Sequence, residues 1–215
     1  MKTRIITIGV WRLPVLLGLM ALLAPTAAVH AEEIDRTLEM AENGLVSVEN
    51  VAGTVEFVTW DRAEVQIRGD VGRSVEEVEI LSTSGGVQVR VVNRKGERRV
   101  DGTDLQLRIP EAASVEAETV SADITLSHGR GESIRLHSVS GDVEVQASPQ
   151  RVDVQSVSGD VEFEGSVERS SFETVSGEIV VVGASGEISA KTVSGDVTLE
   201  AGEVNQGRFE AVSGD

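Results

Sequence analysis

The chain has 215 residues, 36 acids against 19 bases for a formal net charge of −17, no cysteine and no tyrosine. A surface so acidic repels nucleic acid and anionic lipid, and without cysteine neither a disulfide nor a lipid-modified N-terminal Cys can form. With 3% aromatic residues there are few faces on which a sugar ring could stack.

The N-terminus carries Lys2 and Arg4, an apolar run over 13–23 and the small-residue segment Ala27-Ala28-Val29-His30-Ala31. This pattern reads as a secretory signal peptide cut after Ala31. Its apolar core is too short to span a bilayer of about 30 Å as a helix, so no transmembrane segment is expected after cleavage. The mature chain, 32–215, is then exported to the periplasm or to the extracellular side. Loss of Lys2, Arg4 and Arg12, with no acid before residue 32, takes the net charge to −20. Disorder is the alternative for so acidic a chain, and regular apolar alternation argues against it.

Residues 32–119 read as irregular coils. Val46, Val48, Val51, Gly53, Val55 and Phe57 share the offsets of Val152, Val154, Val157, Gly159, Val161 and Phe163 further on. Strands are expected at 64–68, 75–81, 86–92 and 105–109, with a turn at Asn93-Arg94-Lys95-Gly96 and no helix after the leader. Trp60 suits a cap over the first rung. Arg94, Lys95, Arg98 and Arg99 form the one basic cluster, most simply a solvated loop and otherwise a contact for envelope phosphates.

From Val120 onward one phrase recurs. Val-Ser-Ala-Asp at 120 is followed by Val-Ser-Gly-Asp at 139 and 157, Val-Ser-Gly-Glu at 175, and Val-Ser-Gly-Asp at 193 and 212. A period of 18 residues, 19 at the first and last steps, is the signature of a stacked solenoid. Each repeat holds two short strands: Val143 and Val145 alternate with Glu144 and Gln146, then Val152 and Val154 with Asp153 and Gln155. Phe163, Phe172, Ile179, Val181, Ile188, Val197, Leu199 and Phe209 continue the inward series. At about 4.8 Å per coil the mature chain would fill about ten coils, a rod on the order of 50 Å long. It stops four residues into a new coil with no cap, which reads as truncation or as an open rung able to take another chain end to end.

Within the phrase each position forms a column. Gly141, Gly159, Gly177, Gly195 and Gly214 supply a positive φ or a close approach of stacked backbones. Ser140, Ser158, Ser176, Ser194 and Ser213 serve the turns, with no histidine or lysine at a matching offset to activate them. Asp123, Asp142, Asp160, Glu178, Asp196 and Asp215 stack about 5 Å apart, where repulsion is on the order of 1 kcal/mol in water. They read as a solvated ladder accepting turn N–H groups, or as a line of Ca²⁺ sites. Val180 and Val182 face outward where other coils place Glu144 and Glu162. They form an apolar spot flanked by Glu178 and Glu187. His128 and His137 stand at no ligand spacing.

The segment Gly44-Leu45-Val46-Ser47-Val48-Glu49-Asn50-Val51-Ala52-Gly53, then Trp60-Asp61-Arg62, and Leu107-Arg108-Ile109-Pro110 leading to Glu118-Thr119-Val120-Ser121 complete the pattern. With the Val-Ser-Gly-Asp coils they resemble the exported β-strand-repeat family known as "putative adhesins", a domain of unknown function. The resemblance covers nearly all of the mature chain, and Ala122 departs from the repeat glycine. It implies an all-β, single-stranded, right-handed parallel β-solenoid without catalytic activity. The expected function is a non-catalytic scaffold that meets a protein or an envelope or cell-surface component as an adhesin or interaction module. The alternatives are a periplasmic structural or envelope-stress component that binds another protein, and a polysaccharide-acting β-helix enzyme. The last needs convergent acids in unlike environments and aromatic sugar contacts.

Overall fold

The computed structural model describes residues 4–6, 32–96, 99–200 and 202–214, and these residues hold strands and no helix. The elements are β1 (Arg4–Ile6), β2 (Glu32–Glu39), β3 (Leu45–Trp60), β4 (Glu64–Val71), β5 (Val75–Thr83), β6 (Gly86–Asn93), β7 (Thr103–Pro110) and β8 (Ser114–Gly129). They continue with β9 (Ser133–Ser138), β10 (Val143–Ala147), β11 (Arg151–Ser158), β12 (Val161–Glu164), β13 (Arg169–Ser176), β14 (Ile179–Val182), β15 (Gly186–Ser194), β16 (Val197–Glu200) and β17 (Val204–Ser213). All belong to one sheet that runs through the long strands β3 and β8 in two rows.

In the repeats the pairing is parallel and one phrase apart. Val143 lies beside Val161, Val161 beside Ile179 and Ile179 beside Val197, giving the row β10–β12–β14–β16. Val154 lies beside Phe172 and Phe172 beside Ala190, within the row β9–β11–β13–β15–β17. Both rows continue through β8 into β3, because the first half of β8 pairs with β9 and its second half with β10. Alternate side chains of each row point into the space between them. Val145, Val154, Val161, Phe163, Phe172, Ile179 and Val181 are all 0–1% exposed. Phe163 and Phe172 meet there with ring centroids 5.4 Å apart. Each such side chain contributes about 1.5–3 kcal/mol of transfer free energy only because a neighbouring rung covers it.

The N-terminal part departs from the expectation of further successive coils. Residues 61–113 leave the stack after β3 and return before β8, so β3 and β8 are direct neighbours, with Val55 beside Ile124. The excursion folds over the outer edge of β3. There β6 and β7 pair with it in parallel, β5 pairs with β6 antiparallel, and β4 pairs with β7 and β2 antiparallel. The sheet is therefore mixed rather than purely parallel. The longer row holds eight parallel strands among the described residues, where the repeat length implied about ten coils. A tight reversal causes this, since Thr83 pairs with Gly86 and only Ser84-Gly85 intervene.

The strands expected at 64–68, 75–81, 86–92 and 105–109 lie within β4, β5, β6 and β7. Trp60 does not cap the first rung, because β7 lies beyond β3 and pairs Pro110 with Trp60. Its indole N–H donates to the Glu64 carbonyl at 2.8 Å, with the Arg62 guanidinium 5.1 Å from the ring, so it closes the β3–β4 turn. Phe209 lies in register with Ala190 in the core column, yet on the last described rung it is 47% exposed. Of the segment expected to be the leader, 1–31, only β1 is described, antiparallel to Ile80–Ser82 of β5. The expected cleavage site at Ala31, Arg98 and Asp215 lie outside the described residues. No helix among the described residues is long and apolar enough to cross a membrane.

Candidate functional site

The recurring phrase lies where the chain passes from one row to the other, so the ladders it makes run along one edge of the stack. The residue before each phrase points inward: Thr119, Ser138, Ser156, Thr174 and Thr192 are 3–6% exposed. The Thr119 hydroxyl donates to the Ala122 carbonyl, and Ser138 Oγ accepts the Gly141 N–H at 3.0 Å. Parity then turns the next residue outward. Val120, Val139, Val157, Val175 and Val193 are 46–48% exposed.

The glycine column serves close approach throughout, and Gly195 and Gly214 take a positive φ as well. A Cβ at Gly159 or Gly177 would stand 2.3 Å from the carbonyl oxygen of the preceding glycine. Ala122 occupies the same column without a break, because β8 runs straight through it and its register partner is Gly53. The turn at Ala122 is therefore not the turn of the later repeats, where the strand is interrupted.

The acids form a hydrogen-bonded ladder. Asp123 Oδ1 accepts the Asp142 N–H at 3.0 Å, Asp142 Oδ1 accepts the Asp160 N–H at 2.9 Å, and Asp160 Oδ1 accepts the Glu178 N–H at 2.8 Å. Among the described residues no three His, Asp or Glu side chains come together in a group that could hold a metal ion.

Beside the valine column runs an open groove of about 650 Å³. It is lined by Val139, Val157, Val175, Val193 and Val212, by the hydroxyl column Thr119, Ser138, Ser156, Thr174 and Thr192, and by the outward column Glu118, His137, Gln155, Glu173 and Lys191, whose members are register partners. Lys191 bridges to Glu173 at 3.1 Å. The groove and its valines are what sequence reasoning missed. The signal was available, since an apolar residue directly after an inward hydroxyl must face out.

The other candidates stay apart. Val180 and Val182 alternate outward on β14, half-buried in register with Glu162 and Glu164. Arg94 donates to the Arg73 carbonyl at 2.7 Å in the turn after β6. His128 has a φ of +66° beside its carbonyl's contact with Thr59, and His137 lines the groove. On the outer surface of β3, Arg90 of β6 grips Glu49 through two 2.7 Å hydrogen bonds. That grip, aided by its charge, holds the Glu49 carboxyl below its ordinary range despite partial burial, and it raises Arg90 in turn.

Several solved structures resemble this fold. A "putative adhesin" of Bacteroides fragilis NCTC 9343 is 14% identical over 86% of this chain and 95% of its own, with a TM-score of 0.54. A "putative cell adhesion protein" of Clostridium sporogenes ATCC 15579 is 10% identical over 84% of this chain and 99% of its own, at 0.48. A "putative lipid binding protein" of Parabacteroides distasonis ATCC 8503 is 14% identical over 84% and 94%, at 0.37. No curated protein matches. The family model described as Toastrack DUF4097 matches residues 100–215, the repeats and the strand that leads into them. The chain is a member of the Toastrack DUF4097 family.

Proposed function

We propose that the chain is an exported, non-catalytic β-solenoid scaffold that acts as an adhesin or interaction module of the cell envelope. In this reading it is a right-handed, single-stranded coil of about 18 residues per turn, freed of its leader after Ala31. It presents its ladders to a protein or envelope partner. The carrying observation is the uniformity of the columns that the recurring phrase makes: its valine, glycine and acid positions repeat from rung to rung, whereas catalysis needs unlike groups converging on one point. The acid ladder follows that rule, its carboxylates accepting main-chain N–H groups rung after rung.

The test is protease accessibility of the full-length protein on intact and on permeabilised cells, paired with turnover assays on a glycan panel. Cleavage on intact cells supports an outward partner. Protection until permeabilisation moves the partner to the periplasm, the structural or envelope-stress form of the same scaffold. Saturable glycan turnover abolished by Asp160→Asn overturns the scaffold and restores the enzyme.

A further inference from the structure

Among the described residues the valine column is the one regular apolar feature on an acidic surface. The other outward columns satisfy strand propensity with Glu144, Glu162 and Thr198, so the valines are not required by the backbone. Five of its members, Val139, Val157, Val175, Val193 and Val212, line a groove, the first four nearly half exposed and the last, on the end rung, more so. Neighbouring rungs are about 4.8 Å apart, so the stripe extends for roughly 20 Å between its first and last valine. An apolar line of that length on a chain of charge −17 is a contact surface in search of a cover.

The spacing distinguishes between covers. An extended peptide laid along the stripe presents one-face side chains about every 6.7 Å, and over four steps it drifts by about 8 Å against the valines. An α-helix with apolar residues every 3.5 positions presents them about every 5.3 Å, and it drifts by only about 2 Å over the same length. The walls settle the flanks. Glu118, Glu173 and Glu210 line the groove, with Lys191 as the one lysine or arginine among its lining residues, and the ladder Asp123, Asp142, Asp160 and Glu178 follows the valine column three residues further along the chain. A helix with basic residues beside its apolar seam meets opposite charge at that wall, while an acidic one is repelled.

We propose that the groove along Val139, Val157, Val175, Val193 and Val212 is the docking face for an amphipathic α-helix with basic flanks, supplied by a partner protein. This rests on the scaffold reading above and names the partner's chemistry. The helix lies along the stack, its apolar knobs between successive valines.

The test uses the exported, purified chain and a 21-residue peptide with Leu at heptad positions a and d, Lys at e and g, and Ala and Gln elsewhere. The comparison peptide is a scramble of the same composition and charge, and binding is read by fluorescence anisotropy near 150 mM salt. The patterned peptide should bind at least tenfold more tightly than the scramble. Val157→Thr/Val175→Thr, which keeps β-branched residues at exposed positions, should erase that difference with an unchanged Tm. A version with Glu at e and g should not bind, which tests the flanks without altering the protein. Equal affinity for patterned and scrambled peptides, or a difference that survives the double variant, overturns the proposal. So does tighter binding of an alternating Val-Lys strand peptide, or valine-dependent capture of phosphatidylglycerol vesicles. Glycan turnover would sink the scaffold reading whatever the peptide does, whereas a peptide failure without turnover sinks the helix alone.

Discussion

Asp142 Oδ1 accepts the main-chain N–H of Asp160 at 2.9 Å, and Asp160 Oδ1 repeats the bond to Glu178 at 2.8 Å. Each carboxylate thus fastens the turn of the following rung, and what matters at these positions is an acceptor rather than a charge. Asp160→Ala should cost about 1 kcal/mol in urea unfolding, the net worth of one exposed hydrogen bond. Asp160→Asn keeps the acceptor and removes one repulsion from the ladder, so its stability should stay within about 0.5 kcal/mol of the parent. If both variants lose the same stability, charge is what the ladder needs. In that case a Tm that rises with Ca²⁺ and falls with chelator would point to ions between the rungs.

The glycine column gives a steric prediction. At Gly177 a Cβ would stand 2.3 Å from the Gly159 carbonyl oxygen, a backbone atom that cannot swing aside. Gly177→Ala should therefore cost roughly 2 kcal/mol or more. Gly85→Ala has nothing nearer than the Thr83 hydroxyl at 3.8 Å and should be close to neutral. Equal effects in thermal melts would mean that the rungs are not packed as tightly as described.

Phe172 fills the space between the rows against Phe163 and is fully buried. Phe172→Ala leaves a cavity that β-strands on both sides cannot close and should cost about 3–5 kcal/mol. Val161→Asp, a charge in the same core, should prevent folding at moderate temperature. An unchanged melt for Val161→Asp would overturn the inward register.

Glu49 gives a pH dependence of known sign. Its carboxyl is held below the ordinary value, chiefly by the hydrogen bonds from Arg90. The contribution is therefore present above the unfolded-state value near 4.3 and is lost as pH falls through the lower folded-state value. Glu49→Gln should destabilise by no more than about 1 kcal/mol at pH 7, because the pair is half exposed and screened. The gap between parent and variant should narrow below roughly pH 5. A gap that is constant across the acid limb would assign the loss to packing instead.

Much of the repeat region was legible because a stacked fold writes its core once per rung. Val161, Phe163 and Ile179 recur at offsets that period two makes inward, and they are buried. The excursion over 61–113 was legible as strands but not as a reversal, since alternation reads the same in parallel and antiparallel pairs. Only Ser84-Gly85 between Thr83 and Gly86 marked the hairpin, and two small residues are a weak mark in a chain with 22 glycines. The groove was hidden by habit rather than by physics. Val157 looks like one more core valine until Ser156 is placed inside, and then it must lie outside.

The junction of β3 with β8 bears on how the stack assembles. Leu45 pairs with Ser114, 69 residues on, whereas Val143 pairs with Val161 only 18 on. Because closure entropy grows with the logarithm of loop length, this long step costs only about 1 kcal/mol more than an ordinary one. The repeats can therefore zip rung by rung from local contacts while residues 61–113 settle afterwards. The excursion can also lengthen or shorten through evolution at little thermodynamic penalty, which makes it the natural place for relatives of this chain to diverge while their ladders stay in step.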